Sequence, residues 1–188
     1  MTRYIAALTL VLMLGMAAIR LVSMKAAGIE AFKFGKTDKT DFLIPPFVLA
    51  YFYLVFALAF QWPAVNLPTL LPFKAVPWFG VVFCLAGLLV FLWSLVSFGR
   101  SFRVGIDTDR PDRLIATGAF GWSRNPIYVA FTCILLGQFL IASNWIFLGY
   151  LVAGIWLLHR QILREEAFLK SRYGHEYSVY CQRVRRYL

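Results

Sequence analysis

Between Pro126 and Leu158 the chain runs for 33 residues without an Asp, Glu, Lys or Arg. As one helix this run would be roughly 50 Å long, whereas a bilayer core of about 30 Å is crossed by roughly 20 helical residues. The run is therefore expected to form two short helices. The pair Ser143-Asn144 marks the turn between them, because short polar side chains bond back to the local backbone and favour turns.

Three earlier apolar runs have the length of single spans. Ile5 to Val22 follows Arg3 and carries no charge until Arg20; lacking a clear small-residue cleavage site, it reads as a span rather than a signal peptide. Phe42 to Trp62 has Pro45 and Pro46 near its start, where proline costs a helix least. The third, Trp78 to Phe98, follows a loop punctuated by Pro63, Pro68, Pro72 and Pro77. With 61% hydrophobic residues and a mean hydropathy of +0.70, the chain lies outside the soluble globular range. The expected fold is an all-α integral membrane protein of one domain, residues 1–188. It has five transmembrane helices, the last two a short helical hairpin, and a cytoplasmic interfacial C-terminal helix.

Charge sorts the connections. The segment Arg20 to Asp41 holds five Lys or Arg, Gly99 to Asn125 holds five, and His159 to Leu188 holds seven. The loop between the second and third runs has only Lys74, and the hairpin turn has none. Basic loops stay in the cytoplasm, and five spans with the N-terminus outside put every basic segment on that side. The net charge of +10 is then accounted for by topology and attraction to anionic lipid, with no nucleic-acid partner.

Cysteines and histidines add little. Cys84 and Cys133 lie in apolar runs and Cys181 in the tail, which suggests no disulfide framework. His159 and His175 have no Cys or His company, so no metal site is expected. Polar residues converge in two places: the segment Gly99 to Pro126, where Phe102, Phe120 and Trp122 are interleaved with aspartates and arginines, and the tail. Glycines 99, 105, 118 and 121 there permit positive φ and close backbone approach. In the tail, Leu169, Tyr173, Tyr177, Tyr180 and Val184 recur at helical spacing as one apolar, aromatic stripe, with Gly174 a break or cap in its middle. The plain readings are a solvated interfacial loop, an amphipathic helix packed on the membrane surface and, for the pair Glu165-Glu166 among Arg160, Arg164 and Arg172, a salt-bridged face.

"LIATGAFGWSRNPIY", a short apolar hairpin and then "REEAFLKSRYGHEYSVYCQRVRRYL" together resemble the isoprenylcysteine carboxyl methyltransferase family. That family sits in a wider group of membrane methyltransferases, including phospholipid N-methyltransferases and methanethiol S-methyltransferases. The specific element is the joint pattern of an R-[HN]-P-x-Y box, two spans, an E-E pair and a G-x-x-Y-x-x-Y tail. The similarity covers residues 90–188, the methyltransferase-like, cofactor-binding half; Met1 to Pro77 matches in hydropathy alone.

The resemblance implies an enzyme using S-adenosylmethionine without a soluble Rossmann fold, and the chain has no G-x-G-x-x-G after a strand pattern. The cofactor-binding residues it implies are Asp112, Arg113, Leu114, Ile115, Phe120, Asn125, Pro126, Ile127, Tyr128 and Glu165. Arg124 and Glu166 are the catalytic candidates, with Arg124 set against Glu165 as partner. Gln161, Arg160 and Arg164 are the substrate-binding candidates. Asn125 and Phe120 stand where many relatives carry histidine and tyrosine, so a ring nitrogen and a hydroxyl are lost. Gln161 falls where relatives carry a basic residue that touches substrate, which weighs against a prenylcysteine carboxylate.

Chemistry gives these groups plain tasks. Arg124 or Arg113 is suited to fork a carboxylate, Glu165 to accept from an amino group or ribose, and Phe120, Trp122 or Tyr128 to lie against an adenine or a sulfonium. The expected reaction is methyl transfer to a lipophilic small-molecule or lipid-linked acceptor at the cytoplasmic membrane face; carboxylate, thiol and amine acceptors stay open, as does the oligomeric state. Two other classes remain: an NADPH-dependent membrane reductase with a similar C-terminal half, and a non-catalytic membrane protein in which the same boxes only stabilise the tail.

Overall fold

The computed structural model describes residues 1–26, 44–62, 68–99 and 114–188. These form seven helices: α1 (Thr2–Ala26), α2 (Ile44–Ala59), α3 (Val76–Ser97), α4 (Ala119–Trp122), α5 (Pro126–Ala142), α6 (Trp145–Tyr173) and α7 (His175–Arg183). No strand occurs among the described residues. Helices α1, α3 and α6 are long and apolar enough to cross a membrane, while α2 and α5 are shorter apolar helices. Their outward faces carry large apolar side chains, such as Leu8 at 52% exposure, Val82 at 62% and Leu89 at 68%. Water would not tolerate so much contiguous apolar surface, and lipid favours it.

Helices α3 and α5 run antiparallel in the closest pairing of the fold. A Cβ at Gly80 would stand 2.5 Å from the Gly137 carbonyl oxygen, and one at Gly87 would stand 2.9 Å from that of Ala130. Cys84 lies between, its backbone nitrogen 2.8 Å from a Cβ built at Gly137. Apolar surface gains nothing by leaving lipid for another helix, so small residues that let two backbones touch supply dispersion contact instead.

The turn between α5 and α6 falls at Ser143-Asn144. Ser143 adopts φ 44, a left-handed C-cap, and the Asn144 side chain accepts from the Phe147 backbone N–H to cap α6. The turn is also a docking point, because Leu70 N–H donates to the Ser143 carbonyl at 2.6 Å and Leu71 N–H to its hydroxyl at 2.9 Å. A Cβ at Gly154 would meet Leu135, which fixes α6 antiparallel to α5.

One expectation changes. The hairpin's second arm is not short: α6 continues unbroken for 29 residues to Tyr173. No Gly or Pro lies between Leu158 and Tyr173, and the Arg, Gln, Glu and Lys residues there favour helix as well as leucine does. The apolar run stops at Leu158; the helix does not. It breaks at Gly174, φ 51, and α7 turns back toward the start of α5.

Two ends result. Arg3 and Lys74 belong to the end that holds the hairpin turn. Arg20, Lys25, Arg124, Arg160 and Arg164 belong to the other, where α3 finishes, α4 and α5 begin, and α6 and α7 project.

Candidate functional site at the basic end of the bundle

The segment leading into α5 is built on Ser97. Its hydroxyl donates to the Trp93 carbonyl at 2.8 Å and accepts from Ala119 N–H at 2.9 Å. Gly118, φ 62, passes so close that a Cβ would lie 2.4 Å from that oxygen, so only glycine meets both demands there. Phe120 stacks edge-on against Phe98 with centroids 4.5 Å apart, and Trp122 packs on Trp93.

The tail closes over this segment. Tyr177, Tyr180 and Val184 form a buried cluster with Leu114, Leu169, Tyr173 and Cys181, which is the stripe read from helical spacing. Its apolar face covers protein rather than lipid. The Tyr180 hydroxyl donates to the Phe120 carbonyl at 2.6 Å, and burial pushes its pKa up to about 12. Tyr177 is also raised, first by burial and then by the negative charge of Glu166.

Arg124 and Asn125 lie at the centre. Arg124 donates from Nε and Nη2 to Glu166 Oε1, at 3.1 and 3.0 Å, and from Nη1 to the carbonyls of Cys181 and Val184 at 3.2 and 3.0 Å. The pair is well covered, with side-chain exposures of 12% and 11%. Arg186 bonds the second oxygen, Oε2, through Nε at 2.9 Å and Nη2 at 2.8 Å, and the Glu166 hydrogen bond raises its already high pKa. Asn125 Nδ2 donates to Glu166 Oε1 at 3.2 Å and to the Arg186 carbonyl at 3.1 Å. Arg124 therefore meets Glu166, not Glu165 as the resemblance suggested. Successive helical residues point about 100° apart, and α6 presents the second glutamate to this corner.

Glu165 heads a separate group. Its Oε1 accepts from the Tyr128 hydroxyl at 2.5 Å and from Gln161 Nε2 at 3.3 Å. Tyr128 lies one turn into α5, and its carbonyl accepts from Thr132. Glu165 is half-buried, and its Oε2 bonds no other described residue.

The sequence candidates thus fall into distinct places. Glu165, Tyr128 and Gln161 come together; Arg124, Asn125 and Glu166 come together one step around α6. Pro126 occupies the first turn of α5, and Ile127 packs with Phe91, Leu95 and Ala130. Leu114 belongs to the tail cluster, Ile115 is half-buried beside it in sequence, and Phe120 faces Phe98. Arg160 lies 6.0 Å from the Trp156 ring centroid, and Arg164 is half-buried on α6. Asp112 and Arg113 fall outside the described residues.

Sequence reading missed Ser123 and Arg186. Ser123 is fully buried, accepting from Asn125 N–H and donating to the Arg186 carbonyl; its place beside the Arg-Asn-Pro box was a usable signal. Arg186 was indistinguishable from Arg183 and Arg185.

A bundle of long apolar helices with paired polar groups gathered at its basic end defines a class of helical membrane protein. The sequence profile of the phospholipid methyltransferase family matches residues 75–176, more than half of the chain and the stretch from α3 into α7. The chain belongs to the phospholipid methyltransferase family. It is also 27% identical over 124 residues to a probable protein-S-isoprenylcysteine O-methyltransferase of Oryza sativa subsp. indica, and equally to one of subsp. japonica. The match covers 64% of this chain and 65% of each relative, so the chain spans about two thirds of the length of those relatives.

Proposed function

We propose that the protein is an S-adenosylmethionine-dependent membrane methyltransferase acting on a lipophilic acceptor at the cytoplasmic face. In this reading α1, α2, α3, α5 and the apolar part of α6 are five spans. The basic end of the bundle faces the cytoplasm, where positive residues are retained.

The observation that carries the proposal is the group at Glu165: an acid, half-buried at the end of an apolar bundle, with one oxygen held by Tyr128 and Gln161. The donor set fits the cofactor. Glu165 Oε2 and Asn125 Oδ1 are acceptors suited to an ammonium or ribose hydroxyl, while the aromatic rings of Tyr128 and Phe120 suit a flat base or a sulfonium. Leu114, Ile115 and Ile127 would supply apolar walls, the fully buried Pro126 would hold the turn behind them, and Asp112 and Arg113 would supply the remaining polar contacts.

S-adenosylmethionine, when bound, supplies a methyl group already activated by positive sulfur. The residues' part is to orient and to exclude water, and correct alignment of two reactants is worth about 7 to 11 kcal/mol. Four of the five N–H donors of Arg124 are spent on protein, so we assign Arg124 and Glu166 to holding the site's shape, and leave a cofactor carboxylate to Arg113. Gln161 is tied to Glu165 rather than set out as a positive charge, which favours an acceptor without a free carboxylate. An amine or thiol acceptor reaching the site sideways from the bilayer suits that neutral wall.

Calorimetry with S-adenosylhomocysteine on the purified protein tests the reading. Wild type is expected to bind in the micromolar range and Glu165→Ala to lose binding; a wild type that does not bind defeats it.

A further inference from the structure

Val184–Tyr187 follows α7 and is fastened at every residue. The Val184 carbonyl accepts from Arg124 Nη1, the Arg185 carbonyl from Arg124 N–H at 3.0 Å, and the Arg186 carbonyl from both Ser123 Oγ and Asn125 Nδ2. The Arg186 guanidinium holds Glu166 Oε2, and the Tyr187 hydroxyl meets His159 Nδ1 on α6. This segment touches the Ser123–Asn125 corner through main-chain carbonyls, whose positions depend on the backbone staying in place.

The chemistry at Asn125 then has one solution. Its amide group faces two acceptors, Glu166 Oε1 and the Arg186 carbonyl. Only the NH2 side can face two acceptors; a flipped amide would set oxygen against oxygen. Both amide hydrogens are thus engaged, and Oδ1 is turned to the other side as the one group of Asn125 left to meet a ligand. Release of the Arg186 side chain would free Glu166 Oε2 and loosen the strap, and with it the Arg186 carbonyl, one of the two acceptors that set that orientation.

We infer that Val184–Tyr187 is a strap that sets the shape of the Ser123–Asn125 corner, and that Arg186 is its positioning residue, fixing Asn125 as an acceptor toward the bound ligand. The ligand half of this statement rests on the cofactor reading above; the strap half does not. Arg186 acts through Glu166 and Asn125 and touches no reacting atom.

Two readouts on full-length protein in micelles test it. Amide hydrogen exchange at Arg124, whose N–H is held by the Arg185 carbonyl, is expected to quicken about tenfold in Arg186→Ala, which removes the two-point charge-assisted pairing with Glu166 Oε2. S-adenosylhomocysteine affinity in calorimetry should fall by about the same factor. Arg186→Lys, which keeps the charge and one donor, should restore both to within about threefold. Arg183→Ala, removing the same charge from the exposed side of α7, should change neither. Unchanged exchange at Arg124 in Arg186→Ala overturns the strap; quickened exchange with unchanged affinity overturns the positioning role. If wild type binds no S-adenosylhomocysteine, the cofactor reading fails and exchange at Arg124 alone decides whether the strap holds the corner.

Discussion

Glu165 and Glu166 are neighbours in the chain, yet they serve two polar regions of different kinds. Glu166 has both oxygens engaged by two arginines and an asparagine, in a clamp whose partners come from the start of α5 and from the segment after α7. Glu165 has one oxygen engaged by neutral groups, Tyr128 and Gln161. The first is saturated and joins parts of the fold. The second is half-satisfied, and in the proposed function a bound ligand completes it. Two adjacent glutamates thus have two distinct sets of partners, separated by a single helical step, and on the proposed function the first is structural and the second faces the ligand.

The largest effect that would break this contrast is on stability. Glu166→Ala leaves a covered Arg124 without its counter-charge, which is expected to cost about 3 kcal/mol in denaturant titration in micelles. Glu165→Ala should cost only about 1 kcal/mol in the same assay, since it removes hydrogen bonds to neutral donors. Equal losses would erase the distinction between the two regions.

A double-mutant cycle sharpens it further. Arg124 and Glu166, both replaced by alanine singly and together, should show a coupling of about 2 kcal/mol, while Arg124 with Glu165 should show almost none. Substantial coupling in the second cycle would return Arg124 to the partner that the sequence resemblance suggested. Tyr128→Phe deletes the hydroxyl that holds Glu165 and should cost about 1 kcal/mol, with a several-fold weaker affinity for S-adenosylhomocysteine. Wild-type affinity in that variant would mean that Glu165 does not depend on Tyr128 for its orientation.

The smallest effect concerns pH. Tyr180 is raised from its ordinary value of 10.0 to about 12 by burial. A raised folded-state pKa contributes stability that is complete below the unfolded value and is lost as pH rises through the folded one. Docking of the tail over Phe120 should thus hold to about pH 10 and weaken toward pH 12, followed by tyrosine absorbance. Tyr180→Phe should lack that part of the transition.

Much of the architecture was readable in advance. The charge-free run from Pro126 to Leu158 demanded a turn, and Ser143-Asn144 provides it with a left-handed residue and a capping asparagine. Spacing alone grouped Leu169, Tyr173, Tyr177, Tyr180 and Val184, which share one buried cluster. The length of α6 was misjudged because hydropathy marks where lipid ends, whereas helix ends are set by caps and breakers, and the first of these is Gly174. The contact of Gly80 with Gly137 went unread, since two separated glycines show no pairing until the helices are docked.

What the sequence determined by itself, then, is whatever depends on sums and short periods: burial in lipid, helical faces, turns and the sorting of positive charge. These follow from free energies that add along the chain and need no partner to be specified. The tertiary structure alone decided which glutamate Arg124 meets, that Arg186 rather than Arg183 or Arg185 closes the clamp, and which way the Asn125 amide faces. Hydrogen bonds reach about 3 Å and are directional, so a rotation of one residue around α6 exchanges one set of partners for another while leaving every local property of the sequence unchanged.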